Sequence, residues 1–129
     1  MANETQSSQT DSTVKIQELK NKVQEFCAAR DWDQFHTAKD LSIGLITEAA
    51  ELLEEFRFKS EAEILAALKD PKRREQISDE LSDCLFFVLR FAQRFDFDLV
   101  EAFERKMAKT GAKYPVDKAR GKNLKYSEL

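Results

Sequence analysis

The segment 71–94 constrains the fold of this chain most strongly. Asp70-Pro71 is a helix start signal, because proline fits the first turn of a helix. The second half of the segment, CLFFVLRFA (84–92), is apolar around nearly the whole helical circumference, which is typical of a helix buried on all sides. A chain of 129 residues forms one domain, and so small a domain cannot easily enclose one of its own helices completely. The segment therefore predicts a helical core with a subunit interface along this helix.

Apolar residues recur at helical spacing in the rest of the chain as well. They predict further helices over 14–30, 40–56, 60–68 and 99–109, the first capped by Ser12 or Thr13 and the third by Ser60 with Glu63. With 3 Gly and 2 Pro the chain has few tight turns, and no stretch is typical of a strand pair. The predicted fold is all-α, a four-helix-type bundle.

The ends of the chain differ from this helical part. Residues 1–13 are polar and rich in Ser and Thr, which predicts a disordered N-terminal tail. We expect a catalytic domain over 14–110. The remaining residues, 111–129, are expected to form an extended basic tail that contributes to the site or to an interface.

Charge is distributed unevenly along the chain. The 21 Lys and Arg and 24 Asp and Glu leave a net charge of −3, which does not suggest binding to nucleic acid polymers. Acidic residues are concentrated in 48–63, and basic residues in 105–125. An acidic block and a basic tail in one chain could hold a metal ion and a polyanion side by side.

The sequence indicates a reducing, aqueous environment. Cys27 and Cys84 lie far apart in apolar helical contexts, and the chain has 1 His, which argues against both a disulfide scaffold and a thiolate zinc site. Neither a signal peptide nor an apolar run long enough to span a bilayer is visible. We therefore expect a cytoplasmic protein with no membrane partner.

Two pairs of acidic residues are the strongest functional signal. Glu48 and Glu51 lie on the second predicted helix, and Glu80 and Asp83 on the fourth, so each pair projects from one helix face. Glu80 falls among apolar positions of its helix, where an unpaired carboxylate is costly unless it is neutralised or binds a cation. Hard oxygen ligands favour Mg²⁺, with Mn²⁺ as a possible substitute. The alternative is four solvated acids paired with Lys or Arg at helical spacing.

The spacing of these acids resembles a known family. EAAE (48–51), followed after 28 residues by ELSD (80–83), is similar to the E-x-x-E … E-x-x-D signature of the MazG-like, all-α nucleoside triphosphate pyrophosphohydrolases. Two further blocks, RDWDQFH (30–36) and KYPVDKARGKNLKYSEL (113–129), together with ELSDCL (80–85), resemble the dCTP pyrophosphatase 1 group of that family. The resemblance extends from about residue 15 to the C-terminus.

The resemblance implies a reaction and a set of site residues. The family hydrolyses a nucleoside triphosphate to the monophosphate and pyrophosphate. The four acids would hold Mg²⁺, and Glu51 or another of them, such as Glu80, would orient or deprotonate the attacking water. Trp32 and His36 would contact the nucleobase. Phe58 and Phe87 stand where the dCTP-preferring relatives carry Trp and Tyr, which keeps aromatic stacking but removes a hydroxyl.

The basic tail would then meet the triphosphate. The residues expected to do so are Lys113, Tyr114, Arg120 and Lys122. Alternatively, this segment is an exposed arm or one that wraps a neighbouring subunit. The resemblance also implies a homo-oligomer, either a tetramer or a dimer.

The sequence thus predicts a Mg²⁺-dependent nucleotide pyrophosphatase acting on dCTP or modified dCTP, with a role in cleansing the nucleotide pool. Two alternatives stay open. One is a non-catalytic helical oligomerisation or regulatory module, which would need the apolar fourth helix but not four carboxylates at this spacing. The other is a dUTPase-like or broad-specificity pyrophosphatase.

Overall fold

The computed structural model describes residues 9–129, and this part of the chain contains α-helices, two short 3₁₀ turns and no strand. The α-helices are α1 (Ile16–Ala29), α2 (Ala38–Glu54), α3 (Glu61–Lys69), α4 (Pro71–Arg94), α5 (Leu99–Lys113) and α6 (Val116–Ala119). The predicted all-α class is confirmed. Of the predicted disordered tail 1–13, residues 1–8 lie outside the described residues, and residues 10–13 form a turn in which the Thr13 N–H donates to the Thr10 carbonyl at 3.0 Å.

Side-chain caps explain where most of the helices begin. Ser60 accepts from the Glu63 N–H at 3.2 Å and Glu63 accepts from the Ser60 N–H at 2.7 Å, which is the predicted capping box of α3. Asp70 caps α4 as predicted, accepting from the Arg73 N–H at 3.0 Å. Helix α2 begins two residues before the predicted start, because Thr37 accepts from the Asp40 N–H at 3.1 Å.

The expected cap of α1 is wrong. The helix begins at Ile16 rather than at residue 14, and neither Ser12 nor Thr13 caps it. Instead the Glu18 carboxylate accepts from the Lys15 N–H at 2.6 Å. The reason is that Thr13 is occupied in the preceding turn, where its Oγ1 accepts from the Thr10 N–H at 2.8 Å.

Helix α4 is the central element of the first of two units, which ends at Asp96. Helices α1, α2 and α3 all pack against it, and α2 makes the most extensive contact. The buried apolar side chains are Val23, Cys27, Leu41, Ile77, Leu89 and Ala92. Leu81 and Leu85 of α4 stay exposed, so the described helices of the first unit do not enclose α4 on all sides.

The second unit, 97–129, is more helical than expected. Helix α5 continues to Lys113, past the predicted end at Lys109, because the i→i−4 bonds persist until the Tyr114 N–H donates to the Thr110 carbonyl at 3.0 Å. Pro115 then interrupts the ladder, and one further turn, α6, follows. Tyr114 and Tyr126 pack edge to face at 6.1 Å between ring centroids, so 111–129 is not extended throughout.

None of the helices in residues 9–129 combines the length and apolar character that crossing a bilayer requires.

Gly44 is the position in α2 that cannot carry a larger residue without movement. The ring of Phe87 on α4 lies directly against its Cα, where a Cβ would overlap the ring, whereas a Cβ at Gly111 in α5 meets nothing within 4 Å. We expect Gly44→Ala to lower the free energy of unfolding by about 1–3 kcal/mol through overpacking. Gly111→Ala is the matched control and should raise it by about 0.5–1 kcal/mol through lower chain entropy. Urea unfolding measures both, and equal effects would contradict the packing of Phe87 on Gly44.

Candidate metal centre and nucleotide site

Helices α2 and α4 run antiparallel and bring the two acidic pairs together. Glu55 near the end of α2 is 3.2 Å from Arg73 near the start of α4, and Gly44 in α2 lies under Phe87 further along α4. Between these contacts, Glu48, Glu80 and Asp83 place one carboxylate oxygen each within 4.8 Å of the others. Three acidic ligands from two helices therefore converge on one point.

Two of these carboxylates each have one buried oxygen without a hydrogen-bond partner. Within the described chain, Oε2 of Glu48 and Oε2 of Glu80 are inaccessible to solvent and accept no hydrogen bond. Burial raises the pKa of both carboxyls, and the negative charges of Glu51 and Asp83 raise the pKa of each further. Buried anionic oxygens without donors, close to further anions, are the environment that a hard divalent cation relieves. The donor set fits Mg²⁺ or Mn²⁺.

Glu51 is the fourth acid of the two pairs, and like Asp83 it lies at the exposed edge of the cluster. Its side chain is exposed, and it is not one of the three residues whose oxygens converge within 4.8 Å. It is nevertheless close enough for its charge to raise the pKa of both Glu48 and Glu80. The Glu51 carboxylate therefore lies within hydrogen-bonding reach of Glu48 and Glu80, although its oxygens do not belong to the group within 4.8 Å.

The raised pKa values predict how the metal-free protein responds to pH. A carboxyl whose pKa rises on folding binds its proton more tightly in the folded state. Its stabilising contribution is complete below the ordinary carboxyl pKa, near 4.3 for Glu, and is lost as the pH rises through the raised value. In chelator, wild type should lose stability relative to Glu80→Gln as the pH rises above about 4. Urea unfolding across this range measures the difference, and a constant difference would contradict the raised pKa of Glu80.

A series of aromatic side chains leads from the acidic cluster to the loop before α2. Phe87 lies one helical turn beyond Asp83 on α4, which is about 6 Å along the axis. Its ring meets Phe86 edge to face at 5.4 Å between centroids, and Phe86 meets Phe26 of α1 at 6.1 Å. Phe26 then contacts Trp32 at 5.6 Å. These contacts join Phe87 to Trp32 through a continuous row of rings, which we call the aromatic wall.

Trp32 and His36 stand at the far end of this wall. Their rings contact each other at 5.9 Å between centroids, on either side of a 3₁₀ turn, Asp33–Phe35. Trp32 keeps 37% of its surface exposed, and His36 is half-buried. Both predicted base-contacting residues therefore lie together and within reach of a ligand.

Arg90 is a residue that the sequence analysis missed. It belongs to the apolar part of α4, yet its guanidinium is fully buried, with 0% exposure. It forms an ion pair with Asp33, and its Nε–H donates to Nδ1 of His36 at 2.8 Å. The sequence signal was a lone arginine inside CLFFVLRFA, because a charge is placed in an apolar run only where it has partners.

Phe58 is not brought to the aromatic wall by the described residues. It follows α2 with a positive φ of 64° and is 90% exposed. Its contact is with Arg57, whose guanidinium lies 4.5 Å from the ring centroid.

The predicted phosphate-binding residues all belong to the second unit. The Lys113 Nζ lies 4.8 Å from the ring centroid of Tyr126, and the Tyr114 hydroxyl accepts from the Tyr126 N–H at 3.3 Å. Arg120 and Lys122 are exposed. The first two are thus held in place by Tyr126, and the last two are free to approach an anion.

The fold and the acidic cluster together define a class of protein. The model of the MazG-like family matches residues 43–129, and this chain belongs to that family. This range includes both acidic pairs, the part of the first unit from residue 43 onward and the whole second unit.

Individual relatives agree with this assignment. The chain is 38% identical over 114 residues to dCTP pyrophosphatase 1 of Rattus norvegicus, covering 88% of this chain and 67% of the relative. It is 35% identical over 114 residues to dCTP pyrophosphatase 1 of Homo sapiens, with the same coverage of each chain. The crystal structure of a pyrophosphatase from Archaeoglobus fulgidus superposes with a TM-score of 0.73 at 31% identity, covering 84% of this chain and 99% of that one. The chain is an enzyme of the nucleotide pyrophosphohydrolase class rather than a non-catalytic oligomerisation module.

Proposed function

We propose that this enzyme hydrolyses deoxynucleoside triphosphates to the monophosphate and pyrophosphate in a Mg²⁺-dependent reaction, with dCTP or modified dCTP as the preferred substrate. The observation that carries the proposal is the convergence of Glu48, Glu80 and Asp83 within 4.8 Å, with buried oxygens of the two glutamates lacking any donor. The names of the relatives, dCTP pyrophosphatase 1, support the choice of substrate. The corresponding role is the cleansing of the nucleotide pool in the cytoplasm, and the free thiols of Cys27 and Cys84 agree with a reducing compartment.

The residues of the cluster divide the chemistry between them. Glu48, Glu80 and Asp83 would hold the cation, which supplies charge neutralisation and Lewis acidity at the phosphate oxygens. Glu51 adjoins Glu48 and Glu80 but is not one of the three residues whose oxygens converge, which leaves its carboxylate to accept the proton of the water that attacks the α-phosphorus. We assign Glu51 this role as the general base.

The remaining side chains would bind the two ends of the nucleotide. Trp32 offers a ring face for stacking on the base and His36 a polar ring atom, with Phe87 continuing the wall toward the cluster. Phosphate contacts are assigned to Lys113, Tyr114, Arg120 and Lys122. Phe58, which is almost fully exposed, is proposed to complete the base site in the assembled enzyme.

We further propose a homo-oligomer, a tetramer or a dimer. Besides Leu81 and Leu85 on α4, three large apolar side chains of α2 are exposed, Ile43 at 49%, Ile46 at 70% and Leu53 at 64%. The proposal rests on these exposed apolar side chains of two neighbouring helices, which association with a second copy of the chain would bury. Multi-angle light scattering measures the mass in solution, and a monomer at micromolar concentration would contradict this part of the proposal.

A panel of deoxynucleoside and nucleoside triphosphates tests the reaction and the substrate together. With Mg²⁺, we expect monophosphate and pyrophosphate as products and the highest kcat/KM for dCTP or a modified dCTP. Hydrolysis in ¹⁸O-labelled water should place the label in the monophosphate, because attack is at the α-phosphorus. Diphosphate and orthophosphate as products would overturn the reaction. A preference for dUTP, or equal rates throughout, would favour the dUTPase-like or broad-specificity alternative.

A further inference from the structure

The guanidinium of Arg90 is wholly committed to the loop before α2 and to its own helix. Its Nε–H donates to His36 Nδ1 at 2.8 Å, its Nη2 pairs with Asp33, and its Nη1 donates to the Gln93 side chain. Asp33 itself is 55% exposed, so a single counter-ion, half in solvent, accompanies a fully buried positive charge. An apolar residue at this position would avoid the cost of burying that charge. Stability from packing therefore does not explain why an arginine occupies position 90.

The hydrogen bond to Nδ1 determines the form of the imidazole. Arginine stays protonated and can only donate, so the ring nitrogen that faces its Nε–H must be an acceptor. A neutral imidazole with an acceptor at Nδ1 carries its proton at Nε2. Burial, and then the charge of Arg90, also lower the pKa of His36, against smaller opposite effects of Asp33 and Asp40, so the ring is neutral at physiological pH. Nε2 of His36 is thus the ring nitrogen that can contact a ligand, and it can act there only as a hydrogen-bond donor.

We propose that Arg90 is a positioning residue for base recognition: it holds His36 in the Nε2–H tautomer, so that the loop presents a hydrogen-bond donor beside the Trp32 ring to an acceptor atom on the nucleobase. The O2 and N3 atoms of cytosine are acceptors of this kind. The inference rests on the proposed function in one respect, since it takes the loop 31–36 as the part of the enzyme that contacts the base.

The tautomer can be read without any activity measurement. The chain contains 1 His, so the ring-nitrogen signals of the ¹⁵N-labelled protein report on His36 alone. In wild type at neutral pH we expect Nε2 to show the shift of a protonated nitrogen and Nδ1 that of an unprotonated acceptor. An Nδ1–H tautomer in wild type would overturn the proposal directly, whether or not the enzyme turns over dCTP.

Two variants test the role of Arg90. Arg90→Lys keeps the charge that Asp33 needs but removes the Nε–H, and Arg90→Met removes both. In both, the His36 ring should become a mixture of tautomers and titrate closer to its ordinary pKa. The kcat/KM for the preferred nucleotide should fall about tenfold through KM, as expected for the loss of one oriented hydrogen bond, with kcat nearly unchanged. Selectivity between bases should fall by the same factor.

Arg94→Met is the matched control. Arg94 lies one turn further along α4 and donates to the Asp33 carbonyl at 3.4 Å, but it has no hydrogen bond to His36. We expect this variant to leave the tautomer and the base selectivity as in wild type. Retained selectivity in a folded Arg90→Lys protein would overturn the inference while leaving the pyrophosphatase proposal intact. An inactive wild type with the expected tautomer would overturn the proposed function instead.

Discussion

Replacement of Glu80 by Gln is expected to lower kcat by about a thousandfold or more and, in chelator, to make the protein more stable than wild type. Loss of turnover follows because a ligand of the cation is removed, and a bound divalent cation supplies several kcal/mol of transition-state stabilisation. The gain in metal-free stability follows because burial and the charges of Glu51 and Asp83 raise the pKa of Glu80, so its ionised form is unfavourable there at neutral pH. Addition of Mg²⁺ should then stabilise wild type and leave Glu80→Gln unchanged.

Thermal unfolding with chelator and with Mg²⁺, together with steady-state kinetics on dCTP, measures these effects. Asp79→Asn is the matched control, because Asp79 is the neighbouring acid on α4, is exposed and does not belong to the converging group. It should keep wild-type turnover and the stabilisation by Mg²⁺. A Glu80→Gln enzyme that is fully active would refute the metal assignment.

Replacement of Glu51 by Gln is expected to separate metal binding from chemistry. Since Glu51 is not one of the three residues whose oxygens converge within 4.8 Å, the variant should retain most of the Mg²⁺-induced increase in Tm. Its kcat should nevertheless fall by about a hundredfold or more, which is the typical contribution of a general base. KM for dCTP should change little, because a general base at Glu51 would contact neither the nucleobase nor the aromatic wall.

The same two measurements, kinetics and thermal shift, distinguish the roles that the acidic signature leaves open for Glu51. Glu54→Gln serves as the control, since Glu54 lies one turn closer to the end of α2 and pairs with Arg57 at 3.2 Å on the exposed side. If Glu51→Gln abolishes the Mg²⁺-induced shift as completely as Glu80→Gln does, Glu51 is a metal ligand and the water is deprotonated elsewhere.

Local features were predictable because they depend on neighbours in the chain. The Ser60–Glu63 capping box and the Asp70-Pro71 start are local hydrogen-bonding patterns, and both occur as expected. The end of α5 was predicted too early, because no residue between Lys109 and Lys113 stops a helix and Pro115 is the first that does. The Ser12 or Thr13 cap failed because a turn can use the same hydroxyl.

In the candidate site, too, the features that depend on one helix were predictable and those that depend on two packed helices were not. Helical geometry by itself placed Glu80 among the apolar positions of its helix. The antiparallel pairing of α2 and α4, which no single segment encodes, decided that oxygens of Glu48, Glu80 and Asp83 converge within 4.8 Å.

From the sequence alone came the helical class, the family resemblance and the identity of the acids, because periodicity, caps and spacing are properties of adjacent residues. Only the tertiary structure decided what Arg90 does. Its partners Asp33 and His36 lie more than 50 residues away along the chain and come within hydrogen-bond distance only when the loop before α2 packs on α4. A buried charge is compensated by the polar groups that the tertiary fold places next to it, and the residues adjacent to Arg90 in the sequence do not reveal which groups these are.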